Sequence, residues 1–406
     1  MVTKRVEQHL IKHPNPSWAL IDDYCHRSKD LYNYANYLVR QEFINNGKWL
    51  HYKDIFNSCK SSEPYLSIGS NVGQATLRML DKTWESFFKS VKDWKANPQK
   101  YLGRPKLPKY KEKDGRYVLG IDNIKFSILD GYIRFSWKPL KSLNDKFKTK
   151  ISEGSKLIQC RFVPRGSSYA MEIVYEIEVP EQPTESKNIA SIDLGIDNFV
   201  TTTNNIGLKP IAIKGGAIKS MNQYYNKQRA SIQSELKLKN GRNNSKRLLE
   251  FTEKRNRKVK HFMHVVSKSV VDYCTQNNID TLVCGYNQEW KQEVHLHKKE
   301  NQKFVAIPYE TFINMLIYKC ENVGVRFILA EESYTSGTSF IDGEQPTKEN
   351  YNKSRRKKRG LFVSNDGNII NADVNGSYQI MKKVFPDAFA NGVEGVGWHP
   401  SSMKIA

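Results

Sequence analysis

The sequence contains no apolar run of the roughly twenty residues needed to span a bilayer. Its N-terminus, MVTKRVEQHLIKH, lacks the apolar core of a secretory signal. These absences lead us to expect a soluble, intracellular chain. CxxC pairs are missing too. The six cysteines, Cys25, Cys59, Cys160, Cys274, Cys284 and Cys320, stand singly, most of them in apolar periodic segments. Reduced, packed thiols are therefore expected, not disulfides or a thiolate metal site. Acidic residues are scarce along one long helical stretch: from Lys219 to Lys260, thirteen Lys+Arg face three Asp+Glu. There is no internal repeat.

Positive charge is what the chain has in excess. Its 406 residues include 64 Lys+Arg against 42 Asp+Glu, a formal net charge of +22. Solubility needs far less, so the excess implies a polyanionic partner and salt-dependent association. A chain of this length holds two or three domains with substantial cores.

In the first half, Thr3–Lys12 is a candidate strand closed by the turn-rich HPNPS. Ser17–Phe43 keeps helical spacing, and Asn71–Trp94 is a second amphipathic helix with Ser70 or Asn71 as its cap. The aromatic load of the first helix (Tyr24, Tyr32, Tyr34, Tyr37, Phe43) is either core or a surface for stacking bases. Gly103–Arg116 follows, with two prolines and five Lys/Arg in the eleven residues ending at Lys113. It reads as a basic loop suited to phosphates or as a solvated linker. From Tyr117 the apolar period becomes two: Ile124, Phe126 and Ile128, then Ile133, Phe135 and Trp137, flank the hairpin signal Asp130-Gly131. Lys156–Val163 and Ser168–Val179 form a further pair. The expectation is a β-barrel-like unit, residues 1–16 and 104–180, carrying a helical insertion at 17–103. Val179–Ser186 is the linker that ends it.

The second half opens with KNIASIDLGIDNFVTTTNN, Lys187–Asn205: a strand into Asp193, a tight crossing at Leu194-Gly195, and a second strand from Phe199 to Thr203. Lys209–Ile213 returns, the basic helical region Ala217–Gln276 follows, and then strand Asp280–Gly285, helix Pro308–Asn322 and strand Val325–Ala330. An irregular segment at 335–371, containing RRKKR, precedes NADVNGSYQIMKKV. There Val374, Ser377, Ile380, Met381 and Val384 fall on one helix face. This order is a ribonuclease H-like α/β topology over residues 187–386, followed by a Gly-rich tail, 387–406, expected to be flexible. A carboxylate planted in mid-sheet is costly to bury without a partner. Asp193 is thus either an aspartate in an exposed turn or a ligand for a cation. A second isolated acid, Asp373, at a helix start favours the cation, since this topology converges strand and helix carboxylates on two divalent metals.

SIDLGIDNFVTT, the basic helical pair, GYNQEWKQ, SYTSGTS and NADVNGSYQI together resemble TnpB, the transposon-encoded ancestor group of the type V CRISPR nucleases. The resemblance is clearest from Ser191 to Val384. It implies a wedge-type β-barrel carrying a helical recognition lobe, then a RuvC-like nuclease domain. It also implies a guide RNA as partner, a double-stranded DNA target beside a short motif, and one site that cuts both strands with two Mg²⁺ (or Mn²⁺) ions. Asp193 matches the first of the family's three acids and Asp373 the third. The second, usually a glutamate ending the fourth strand, is absent, because that strand ends Val283-Cys284-Gly285-Tyr286. Glu332, at the end of the next strand, is the preferred replacement, with Glu331 and Glu289 as alternates. Otherwise the site is disabled and the chain is an RNA-guided DNA-binding protein of repressor type.

Most relatives carry two CxxC pairs before the last Asp. Thr335–Asn371 has no cysteine, so no zinc site is expected. Phe340, Leu361 and Phe362 then hold this segment by packing, or it orders on nucleic acid. Candidate nucleic-acid contacts are Arg104, Lys106, Lys109, Arg229, Arg242, Lys246, Arg247, Arg255, Arg257, Lys291, Arg355, Arg356 and Arg359. The expected setting is the nucleoid of a bacterial or archaeal cytoplasm. Oligomeric state, guide sequence and flanking motif stay open.

Overall fold

The computed structural model describes residues 1–287, 307–358, 360–390 and 397–403. Two compact units divide the chain, Val2–Glu178 and Val179–Ala406 with Met1.

In the first unit, α1 (Pro16–Asn46) and α4 (Ser70–Ala96) match the two periodic stretches of the sequence. Two short helices lie between them, α2 (Tyr52–Cys59) and α3 (Glu63–Ile68). At eight and six residues they are too short for apolar spacing to reveal. Buried Trp84 of α4 donates its Nε1–H to Asn36 Oδ1 of α1 at 3.0 Å, which ties the two long helices together. Neither Ser70 nor Asn71 caps α4. Gly69 does so, and Asn71 Oδ1 accepts instead from the Asp122 backbone at 3.3 Å.

The strands of this unit do not close into a barrel among the described residues. β1 (Val2–Lys12), β6 (Ser168–Glu178), β5 (Leu157–Arg165) and β2 (Leu119–Asp122) form an open antiparallel sheet in that order. β3 (Phe126–Leu129) and β4 (Tyr132–Phe135) form a separate hairpin. Its turn has Asp130 at φ 53° and Gly131 at φ 72°, the positive angles that a twist-matched two-residue turn needs. The barrel expectation fails at Asn123–Lys125, a 3₁₀ turn that takes the chain off the sheet after β2. Ile124, expected in a strand, lies in this turn and is 74% exposed.

The second unit is built on a six-stranded sheet of order β11-β10-β7-β8-β9-β14. β7 (Ile189–Leu194), β8 (Asn198–Asn204) and β9 (Ile211–Lys214) form an antiparallel meander. β10 (Thr281–Gly285) and β11 (Arg326–Ala330) run parallel to β7 on its other side. Helices α5 (Gly216–Asn240) and α6 (Lys246–Gln276) follow the meander, and α7 (Tyr309–Val323) joins β10 to β11. After a small antiparallel pair, β12 (Leu361–Val363) and β13 (Ile369–Asn371), the tail expected to be flexible supplies a sixth strand, β14 (Ser401–Met403), parallel to β9. Its amides answer an open sheet edge: Ser401 N–H donates to Pro210 O at 2.9 Å. Asn371 N–H binds Trp398 O at 2.9 Å nearby.

Period-two alternation in β7 sorts its side chains between two cores. Ala190, Ile192 and Leu194 pack with Phe262 and Met263 of α6 and Phe312 of α7. Ile189, Ser191 and Asp193 take the other face, covered by α8 (Ala372–Val384). Ile189 joins Ile380 and Met381 in one apolar cluster. Ser191 Oγ lies 2.8 Å from Thr203 Oγ1 and donates to Ser377 O at 2.6 Å, while Ser377 Oγ sits 2.9 Å from Thr203 Oγ1. These buried hydroxyls fix the register of α8 on β7, and with it the position of Asp373 relative to Asp193. All six cysteines are reduced and buried, as expected.

Ser377→Val removes one hydroxyl of a buried trio while the Ser191–Thr203 contact remains, an effect of about 1–2 kcal/mol. Amide hydrogen exchange in β7 should speed up by roughly one to two orders of magnitude, with β5 and β6 unchanged.

Candidate active site

Asp193 is the penultimate residue of β7, just before Leu194 and Gly195, and Asp373 lies in the first turn of α8, whose N-cap Asn371 accepts from the Asp373 and Val374 amides. One helical turn on from Asp373 is Gly376. A Cβ on Gly376 would lie 3.0 Å from Asp193 Oδ2, so the helix reaches the strand carboxylate because this residue is glycine. Both acids line a cavity of about 820 Å³, together with Glu332, Asn198, Lys214, Lys219 and Arg356.

The glutamate comes from β11. In the parallel pairing of β10 and β11, Gly285 is opposite Ala330, two residues before Glu332. A Cβ at Gly285 would be 2.5 Å from Glu332 Oε1 and 2.5 Å from Ile380 Cδ1. The Glu332 carboxylate thus fills the space over a strand end that has no side chain. Its Oε1 is buried and accepts no hydrogen bond among the described residues. Glu331 points elsewhere, held by Lys383 Nζ at 2.5 Å and by Ser333. Glu289, Lys291 and Arg359 lie outside the described residues.

Electrostatics record the crowding. Burial, then the Asp373 charge, push the Asp193 carboxyl up to about 7. Burial, then Asp193, push Glu332 up to about 9. Asp373 has nearby donors: Asn198 Nδ2 at 2.7 Å and the Arg356 guanidinium at 3.4 Å. Lys214 Nζ in turn donates to Asn198 Oδ1 at 2.8 Å. Asn198, Lys214 and Lys219 were not singled out in the sequence. Asn198 lies only five residues past Asp193, and a polar residue opening a fully buried strand was the available signal.

Three carboxylates with an orphaned buried oxygen fit a hard divalent cation, whose charge relieves their repulsion. Among the described residues, no three acidic, His or Cys side chains are already gathered as a ready metal cluster. Asp193, Glu332 and Asp373 share a cavity without being drawn together.

The segment between Glu332 and Asp373 is held by packing and by the Arg355–Glu344 ion pair. Phe340 stacks on Tyr378 with centroids 4.3 Å apart, and Phe362 is fully buried. Arg355 binds Glu344 with two hydrogen bonds, 2.5 and 2.8 Å, and their side chains are only 14% and 16% exposed. Arg355 is therefore a structural clamp and not the free phosphate contact expected of it. Its neighbour Arg356 turns to Asp373 instead. Arg255 is likewise engaged, with Asn222 Oδ1 at 2.6 Å and the Tyr225 ring. Arg257 pairs with Glu253 at 3.5 Å. Arg229, Arg242, Lys246 and Arg247 are exposed on α5, α6 and the turn between them.

A probable-transposase family model (OrfB_IS605) matches residues 172–291, and a Cas12f1-like TNB-domain model matches 309–380. The chain is 23% identical over 399 residues to TnpB-like protein ORF457 of Acidianus two-tailed virus, covering 88% of this chain and 81% of that protein. Its fold is similar to that of Cas12f1 in a complex with sgRNA and target DNA: TM-score 0.57, 14% identity, 90% of this chain and 82% of that one covered.

A folded-state pKa raised in Asp193 and Glu332 favours the native state at low pH, and that contribution is lost as pH rises through about 7 and about 9. The melting temperature of the metal-free protein should therefore fall from pH 5 to 9. Mn²⁺ should raise the melting temperature more at pH 8 than at pH 5.5, and Glu332→Gln should shrink that difference. Separately, Glu344→Gln leaves Arg355 half-buried and unpaired. Limited proteolysis should then cut within 335–371 markedly faster, while chelation of zinc leaves the wild type unaffected.

Proposed function

From the chain's membership of the TnpB family, relatives of the Cas12f nucleases, we propose that it is an RNA-guided DNA endonuclease of a transposable element. A guide RNA pairs with the target strand, the protein reads a short flanking motif, and one RuvC-like site cuts both strands. The observation that carries this reading is the seating of Glu332 over Gly285, which supplies a third carboxylate to the cavity of Asp193 and Asp373.

Asp193, Glu332 and Asp373 would hold two Mg²⁺ or Mn²⁺ ions, which supply the Lewis acidity that lowers the pKa of an attacking water and stabilises the departing oxygen. Asn198 orients Asp373, and Lys214 fixes Asn198. Lys219, paired in this structure with Asp197, and Arg356, near Asp373, line the same cavity and would turn to non-bridging oxygens of the scissile phosphate. Water attacks phosphorus and the bond to the 3′ oxygen breaks, leaving a 5′-phosphate and a 3′-hydroxyl. The exposed cations of α5 and α6 would contact the nucleic-acid backbone without reading sequence.

Guide-programmed plasmid cleavage in Mg²⁺ tests the reading. Asp193→Ala and Glu332→Ala should lose detectable cleavage yet keep guide and target binding. Full activity in Glu332→Ala rejects the displaced glutamate. Asn198→Ala should lower the rate by about 10–100-fold, as expected for a group that orients a metal ligand. The double change Gly285→Glu with Glu332→Gly should recover cleavage by moving the carboxylate back to the strand end. A wild-type chain that binds its target but never cuts is the repressor-like protein instead.

A further inference from the structure

The basic stretch after α4 is not a loose linker. Polar side chains of α1, spaced three or four residues apart, bind its backbone from Pro108 to Lys113. Arg40 Nη1 and Asn36 Nδ2 both donate to Pro108 O, at 2.8 and 3.2 Å. Asn33 exchanges two bonds with the Lys111 backbone, at 3.0 and 2.8 Å. Lys29 Nζ donates to Lys113 O at 2.6 Å. These partners share one face of α1, so the segment is strapped along the helix in an extended form.

The strap sorts the cations. Lys111 turns inward over the Tyr32 and Tyr117 rings, at 4.8 and 5.0 Å. Arg104, Lys106 and Lys109 are left exposed. No Asp or Glu occurs from Trp94 to Lys111, so this row of charge is single-signed. Beside it stand flat apolar surfaces. Tyr37, one helical turn from both Asn33 and Arg40, is 50% exposed, and Tyr110 is 44% exposed. The sequence left open whether the aromatic residues of this helix were core or a stacking surface. The structure divides them, with Tyr32 in the core and Tyr37 outside it.

We propose that this strapped segment is a preorganised track for single-stranded nucleic acid, with phosphates over Arg104, Lys106 and Lys109 and a base stacked on Tyr37. A row of cations alone serves any polyanion. Exposed aromatic rings beside it favour unpaired bases, whose faces are open. Fixing the backbone in advance reduces the ordering entropy that binding must overcome. The proposal rests on the guided-nuclease reading for its ligand, because guide pairing leaves one DNA strand unpaired.

The test measures binding of the full chain to labelled oligo-dT, oligo-U and a blunt DNA duplex across a salt series. The triple variant Arg104→Ala, Lys106→Ala, Lys109→Ala should reduce the salt slope for single strands by about 2, at about 0.7 per phosphate contact. A charge-matched control, Lys141→Ala, Lys146→Ala, Lys148→Ala, should reduce it less. Tyr37→Ala should weaken single-strand binding roughly ten-fold with the slope kept and duplex binding unchanged. Asn33→Ala, which retains every charge, should also weaken it several-fold. Equal losses in the triple variant and its control, or wild-type binding in Tyr37→Ala, overturn the proposal. So does a duplex preferred over both single strands. If the wild-type chain binds none of the probes, the track proposal fails, whereas the guided-nuclease reading is decided separately by guide-programmed cleavage.

Discussion

Two raised carboxyls and a third acid in one cavity set the terms for the second unit. Burial and mutual repulsion hold Asp193 and Glu332 above their ordinary range, a standing cost to the folded state at neutral pH. Such an arrangement survives only if the rest of the structure overdetermines it. That is the role of the buried hydroxyls of Ser191, Thr203 and Ser377, which lock α8 to the sheet, and of the cores on either face of β7.

The cavity also depends on atoms that are missing. Gly285 makes room for the Glu332 carboxylate, and Gly376 lets the helix approach Asp193. A carboxylate at the end of β10 and one reaching over from β11 compete for the same volume. A chain that kept both would have to displace one of them. An acid at the end of β10 and one reaching over from β11 are thus alternative occupants of one space. The segment between Glu332 and Asp373 has a similar logic: the Glu344–Arg355 pair and the Phe340–Tyr378 stack hold it with no thiolate. A bidentate, partly buried pair with further hydrogen bonds is a specific fastener, whatever its net stability.

Much of this was legible along the chain. The period-two run through Asp193 and the three- and four-residue spacing after Asp373 locate a strand and a helix. Their alternation with the other elements gives the mixed α/β topology of the second unit. Short or non-periodic features were not legible. α2 and α3 lie below the length at which spacing is informative, and a 3₁₀ turn at Asn123–Lys125 opens what the alternation had suggested was a barrel. The Gly-rich tail looked mobile because nothing local holds it. Its strand exists only because the edge of β9 offers unpaired backbone groups.

The sequence by itself determined which residue types were available: two isolated aspartates, a choice of glutamates, an excess of cations and no cysteine from Thr335 to Asn371. These follow from composition and local period, which are properties of neighbours in the chain. The tertiary structure decided among equivalents. It turned Glu332 into the cavity and Glu331 out to Lys383, engaged Arg355 and freed Arg104, and put Tyr32 in the core and Tyr37 outside. In each case adjacent or like residues were separated by which strand end, helix face or partner lay opposite. That information lies in contacts between residues far apart in the chain, where local pattern has no hold.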